Sequence, residues 1–172
     1  ILLLFFCYLL FTILGNVITA PFNEEISQRV EEIVTGTKEA HKMGFWEDAY
    51  ISIKGEVQKL AFYLIILLLI FSLNLIPVAG SVIATVLGVI FSSFYNALDF
   101  LDYPMTRKKM RFRDKLKVTR KGKLVTYGFG FTAFLLLFLP VINVFMKPIL
   151  VVAGTSLFYE KGYNSQELFK NS

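Results

Sequence analysis

The chain has 172 residues, 55% of them hydrophobic and 18% charged, with a formal net charge of +5. A soluble domain carries about 25% charged residues, so this composition cannot coat a globular surface and excludes an ordinary water-soluble enzyme or binding module. Three long stretches nearly free of charge point instead to an all-α polytopic membrane protein: a transmembrane helix followed by two proline-broken helical hairpins.

The first stretch, residues 1–20, would reach about 30 Å as a helix, which matches the hydrocarbon core of a bilayer. It opens on Ile1 with no methionine and no basic segment ahead of it. A retained transmembrane helix is therefore expected rather than a signal peptide, with further sequence upstream. Cys7, the lone cysteine, reads as a small hydrophobe within it.

Residues 24–59 form an amphipathic, mildly acidic connection, expected on the same cytoplasmic side as the basic loop of residues 99–123 and the C-terminal tail. Pro21 precedes Asn23, which is expected to cap the helix that follows, with Glu24 and Glu25 in its first turn. Ile26, Val30, Ile33 and Val34 fall at i, i+4, i+7 and i+8, an apolar stripe that suits either a membrane surface or a neighbouring helix. His41 has no cysteine or second histidine near it and reads as solvated, so no metal site is expected. Trp46, Tyr50 and Tyr63 mark an approach to the membrane interface.

The next run, residues 60–98, holds 39 uncharged residues, about 58 Å as one helix and too long for a single crossing. Pro77 removes a helix donor and Gly80 relaxes the backbone, so a first hairpin is expected, with both ends on one side of the membrane. Residues 99–123 then read as a basic loop. Ten of the eighteen Lys and Arg lie between Arg107 and Lys123, among them Lys108, Lys109, Arg111 and Arg113. Such a block marks a cytoplasmic loop beside anionic headgroups, and no binding fold accompanies it that would indicate nucleic acid. Asp99 and Asp102 precede it near a helix C-terminus, where carboxylates need cations, and Pro104 is expected to end that helix.

The second hairpin, residues 124–159, carries Pro140 where the first carries Pro77, each followed by valine. Tyr63 and Tyr95 are 32 residues apart, as are Tyr127 and Tyr159, so the two hairpins read as an internal repeat. If a helix restarts at Pro148, eleven residues remain before Glu160, about 17 Å and roughly half the core. Hairpins that penetrate partway are therefore expected, with fully spanning ones as the alternative. Lys147, the one charge in this run, either snorkels to an interface or attracts an anion at a hairpin tip. A tail of residues 160–172 follows.

Taken together, "NVITAPFNEEISQRVE", "LNLIPVAGSVIA", "FLDYP" and "LPVINVFMKPILVVAGTSLFY" resemble the CysZ-like sulfate permeases and their relatives, the etoposide-induced membrane proteins. The resemblance implies a bacterial inner-membrane protein with two partially inserted hairpins, a homo-oligomer that passes sulfate towards cysteine synthesis. It also implies a further helix and a sulfate-binding Gly-Leu-Arg motif ahead of Ile1, so no sulfate-binding residue is carried over. After Asp102-Tyr103-Pro104 this chain continues Met105-Thr106-Arg107-Lys108, where the permeases typically carry an acid, Asn and His.

No nucleophile–base pair, metal cluster or phosphate loop is visible, so neither an enzyme nor a cofactor is expected. The expected function is a permease for a small oxyanion, with Asn23, Arg29 and Lys147 as candidates to line its path. A membrane scaffold without transport is the alternative.

Overall fold

The computed structural model describes residues 19, 21–36, 45–77, 79–138 and 140–160. Cys7, His41, the tail beyond Glu160 and, apart from Thr19, the first apolar run lie outside the described residues. What is described is helical throughout: α1 (21–35), α2 (Phe45–Ser72), α3 (Gly80–Arg107), α4 (Phe112–Lys121), α5 (Lys123–Leu137) and α6 (Pro140–Glu160).

In α1 the backbone is already helical at residue 21, so Asn23 lies inside the helix and does not cap it. The inward face is also different from the apolar stripe. Asn23, Ser27, Val30 and Glu31 are buried, whereas Ile33 and Val34 are exposed. The buried set has the same i, i+4, i+7, i+8 spacing, and it is polar because it meets charged residues of α3.

A 3₁₀ turn at Leu73–Leu75 and Pro77 separate α2 from α3. Gly80 N–H donates to the Ile76 carbonyl, and a Cβ at Gly80 would lie inside the Leu73 carbonyl oxygen. The two helices then run antiparallel: Tyr63 meets Tyr95 with ring centroids 4.5 Å apart, Phe62 meets Phe91 at 5.8 Å, and Lys59 reaches Asp99.

Pro104 does not end α3, which continues to Arg107. Proline removes the N–H that would have bonded the Phe100 carbonyl, and α6 covers that oxygen instead. Gly154 packs so close that an added Cβ would stand 2.7 Å from it, so the glycine lets α6 shield the carbonyl that Pro104 leaves unbonded. The helix stops with Lys109 in the left-handed region (φ 53°). Lys109 N–H donates to the Thr106 carbonyl and Met110 N–H to that of Met105, a Schellman closure that usually employs glycine. Lys109→Gly should therefore raise the thermal midpoint, by up to about 1 kcal/mol of relieved strain, and Lys109→Val should lower it.

Much of the basic segment is helical rather than a loop, since α4 occupies its middle. Pro148 also fails to interrupt its helix. Pro140 opens α6, and the helix passes through Pro148 to Glu160 as 21 residues, about 31 Å. The second arm is therefore not the short one. The shorter arm is α5, 15 residues and about 22 Å.

α3 is the hub. It crosses α5 where a Cβ on Gly130 would overlap the Ser93 carbonyl, and it runs alongside α6 in the same direction, with Phe100 on Gly154 and Lys108 on Tyr159. The core gathers in the second half of α3: Leu98, Leu101 and Met105 pack with Val118, Phe158 and Tyr159, and Phe100 packs with Ala133, Leu150 and Val151. Towards the α2–α3 turn the apolar side chains are bare, with Leu68 71%, Phe71 75% and Leu75 86% exposed. α2 and α3 are both long and apolar enough to cross a membrane, and the apolar stretch of α2 is almost wholly bare. The core helix of a soluble protein would be mostly covered, so such bare surface calls for lipid or another subunit.

Candidate functional site

The last two turns of α3 place Asp99, Asp102, Thr106 and Arg107 where α1, α2, α4 and α6 converge. Two ion-pair groups form there. In the first, Lys59 of α2, 3% exposed, reaches Asp99 at 2.8 Å, Asp102 at 3.0 Å and Glu56 at 2.7 Å. Lys115 of α4 pairs with Asp102 at 2.6 Å and donates to the Thr106 hydroxyl at 2.7 Å. Asp102 is thus gripped between two buried ammonium groups.

Arg107 centres the second group, with its side chain 8% exposed. Its guanidinium donates to Glu24 at 2.6 Å, to Glu31 at 2.8 and 2.9 Å, and to the Ser27 hydroxyl at 3.0 Å. Ser27 in turn shares a 2.8 Å hydrogen bond with Thr155 of α6. Lys108 stands 3.8 Å from Glu31 and over the Tyr159 ring. The guanidinium fork matches this set of acceptors, which three separate helical turns present.

Four cations, Lys59, Arg107, Lys108 and Lys115, here face five carboxylates, Glu24, Glu31, Glu56, Asp99 and Asp102. The cluster therefore holds no surplus positive charge. An oxyanion can reach Arg107 or Lys59 only by displacing a carboxylate. Chemically, this is a compensated lock that an anion could open, not an open anion pocket.

The three residues expected on an anion path are dispersed. Asn23 is buried and donates to the Tyr103 hydroxyl at 3.3 Å, between the two groups. Arg29 points outward and pairs with Glu25 at 2.9 Å, whose hydrogen bond and charge raise its already high pKa further. Lys147 sits on α6, eight residues and about 12 Å before Thr155. Lys109, Arg111 and Arg113 are exposed outside the lock. Sequence reasoning missed Lys59, Ser27, Glu31 and Thr155. A signal for Lys59 was present, because Lys59 and Asp99 are centred on residue 79, like Tyr63 and Tyr95.

Removing one member tests the first group. Lys59→Met should cost about 2–3 kcal/mol, since Asp102 keeps Lys115 but loses its other cation. Adding Asp99→Asn, which removes the carboxylate that Lys59 alone holds among the described residues, should recover part of that loss in the double variant, which thermal unfolding of the solubilised protein would read. A double variant whose loss equals the sum of the two single losses would mean that the pair is not coupled.

Comparison with known proteins bears on what such a lock serves. The family model described as sulfate transporter CysZ/etoposide-induced protein 2.4 matches residues 1–148. Proteins named sulfate transporter CysZ are similar along most of the chain. One from Pseudomonas fluorescens is 35% identical, over 87% of this chain and 60% of its own length. One from Pseudomonas aeruginosa is 30% identical, over 99% and 70%, and one from Salmonella paratyphi A is 33% identical, over 87% and 60%. The chain thus spans about 60% of the length of several of the relatives it matches.

Proposed function

We propose, on the premise that this chain belongs to the sulfate transporter CysZ/etoposide-induced protein 2.4 family, that it serves a membrane permease for a small oxyanion, with sulfate taken up for cysteine synthesis. The observation that carries the reading is the buried lock around Arg107. The lock closes the base of the helix bundle, where the charged segment meets the apolar helices. A buried cluster of ionisable groups in such a place is a candidate for function as well as for structure. The guanidinium fork that holds Glu24 and Glu31 fits the oxygens of sulfate equally well. Sulfate exchanging with those carboxylates would loosen α1 from α3 and α6.

The same reading sets the topology. Both helix pairs leave and re-enter one face of a bacterial inner membrane, with the basic segment cytoplasmic and the bare faces of α2 and α3 covered by lipid or further copies of the chain. At about 22 Å, α5 favours a second hairpin that stops short of the far leaflet.

Liposomes containing the full-length protein should take up radiolabelled sulfate faster than empty vesicles, and sulfate should raise the protein's thermal midpoint. Absence of both effects would overturn the permease in favour of a scaffold.

A further inference from the structure

α4 has two unlike faces. Its inner one is committed: Lys115, Val118 and Thr119 are buried, Val118 joins the core of Leu98, Leu101, Met105 and Phe158, and Phe112 packs edge-on against Phe62. Arg113, Lys117, Arg120 and Lys121 fall at i, i+4, i+7 and i+8, and all are exposed. Lys109, Arg111 and Lys123, also exposed, extend this stripe at both ends. Among the described residues, Asp114 is the acid beside it, 4.0 Å from Lys117.

The height of this plate is set by its neighbours. Leu124, 86% exposed, follows Lys123 directly, and bare Leu60 and Leu64 begin on α2 beside the Phe62–Phe112 contact. The cations therefore line the edge at which exposed apolar surface starts. A basic amphipathic helix commonly inserts its own apolar side into a bilayer. Here that side is already used in the core, so α4 can present only charge.

We infer that the outer face of α4 is a binding plate for the headgroups of anionic phospholipids, which it holds against the base of the bundle. This rests on the membrane placement proposed above, not on sulfate as substrate. Lipid is favoured over a free anion because the cations follow the apolar edge in a row instead of converging on one point. Nucleic acid would need the plate to stand clear of the bilayer, yet bare leucines flank it. Each Lys or Arg near an anionic surface adds about fivefold to binding, so removing three should weaken it on the order of a hundredfold.

The test uses the full-length protein in neutral detergent and fluorescent phosphatidylglycerol, with fluorescent phosphatidylcholine as control. Phosphatidylglycerol should bind far more tightly than phosphatidylcholine. The variant R113Q/K117Q/R120Q should lose that preference while keeping its thermal midpoint in neutral detergent, and R113K/R120K should retain it. Sulfate and glycerol phosphate, at matched ionic strength, should not displace the lipid. Equal affinity for the two lipids, or an unchanged triple variant, would overturn the inference. So would displacement by either small anion, or tighter binding of duplex DNA. Because no readout is transport, the inference can fail while sulfate uptake stands, and the converse also holds.

Discussion

Arg107→Ala is expected to lower the thermal midpoint of the solubilised protein by roughly 10 °C or more, a large effect for a single charge removal. The argument is one of stranded charge. Glu31 is as buried as Arg107, and Glu24 is partly covered, so deleting the guanidinium leaves carboxylates without their main cation. Breaking a buried pair from one side costs about 3–5 kcal/mol. Lys108, 3.8 Å from Glu31, compensates only in part. Arg107→Lys should not restore the loss, because one ammonium cannot serve Glu24, Glu31 and Ser27 from a single point. A double variant, Arg107→Met with Glu31→Met, should be more stable than Arg107→Ala, since it removes both buried charges. If Arg107→Ala unfolds within 2 °C of the parent, the ion pairs contribute little and the lock does not hold α1 in place.

The second large effect is steric. An added Cβ on Gly130 would overlap the Ser93 carbonyl oxygen and stand 2.9 Å from the Ala97 Cβ, and neither partner can yield on its own. The carbonyl belongs to the backbone of α3, so α3 and α5 must separate along their crossing. Gly130→Ala should cost about 3 kcal/mol and Gly130→Leu should prevent folding, as overpacked cores do. Gly128 provides the internal control. It lies two residues away on the same helix with nothing within 4 Å of its added Cβ, so Gly128→Ala should be neutral or stabilising by up to about 1 kcal/mol. Thermal unfolding of the two alanine variants side by side checks the contrast. Similar midpoints would mean that the helices do not approach this closely.

Much of the helical class was legible because charge is so unevenly distributed. The 39 residues between Lys59 and Asp99 carry none, and Pro77 and Gly80 punctuate them where the chain turns. The pairing of Lys59 with Asp99 could have been read from the same symmetry. Pro104 and Pro148 were misread because a proline's cost depends on what surrounds it. Gly154 seats α6 on the carbonyl that Pro104 leaves unbonded, and no local pattern announces that contact. The face of α1 was misread for a related reason. Hydrophobic periodicity selected Ile26, Val30, Ile33 and Val34, but the surface awaiting α1 was charged, so Asn23, Ser27 and Glu31 turned inward. Family resemblance, carried by motifs spread along the chain, is borne out by the match over residues 1–148.

Placement of α1 and α4 on one face of a membrane, with the α2–α3 turn immersed in lipid, is the central claim. Single cysteines at Arg29, Arg113 and Leu75, in a Cys7→Ser background, would be probed with an impermeant maleimide on intact cells and again after the membrane is opened. Arg29→Cys and Arg113→Cys should both react only after opening, and Leu75→Cys should resist the reagent in both states. Labelling of the first two from opposite faces, or ready labelling of Leu75→Cys in water, would contradict the account.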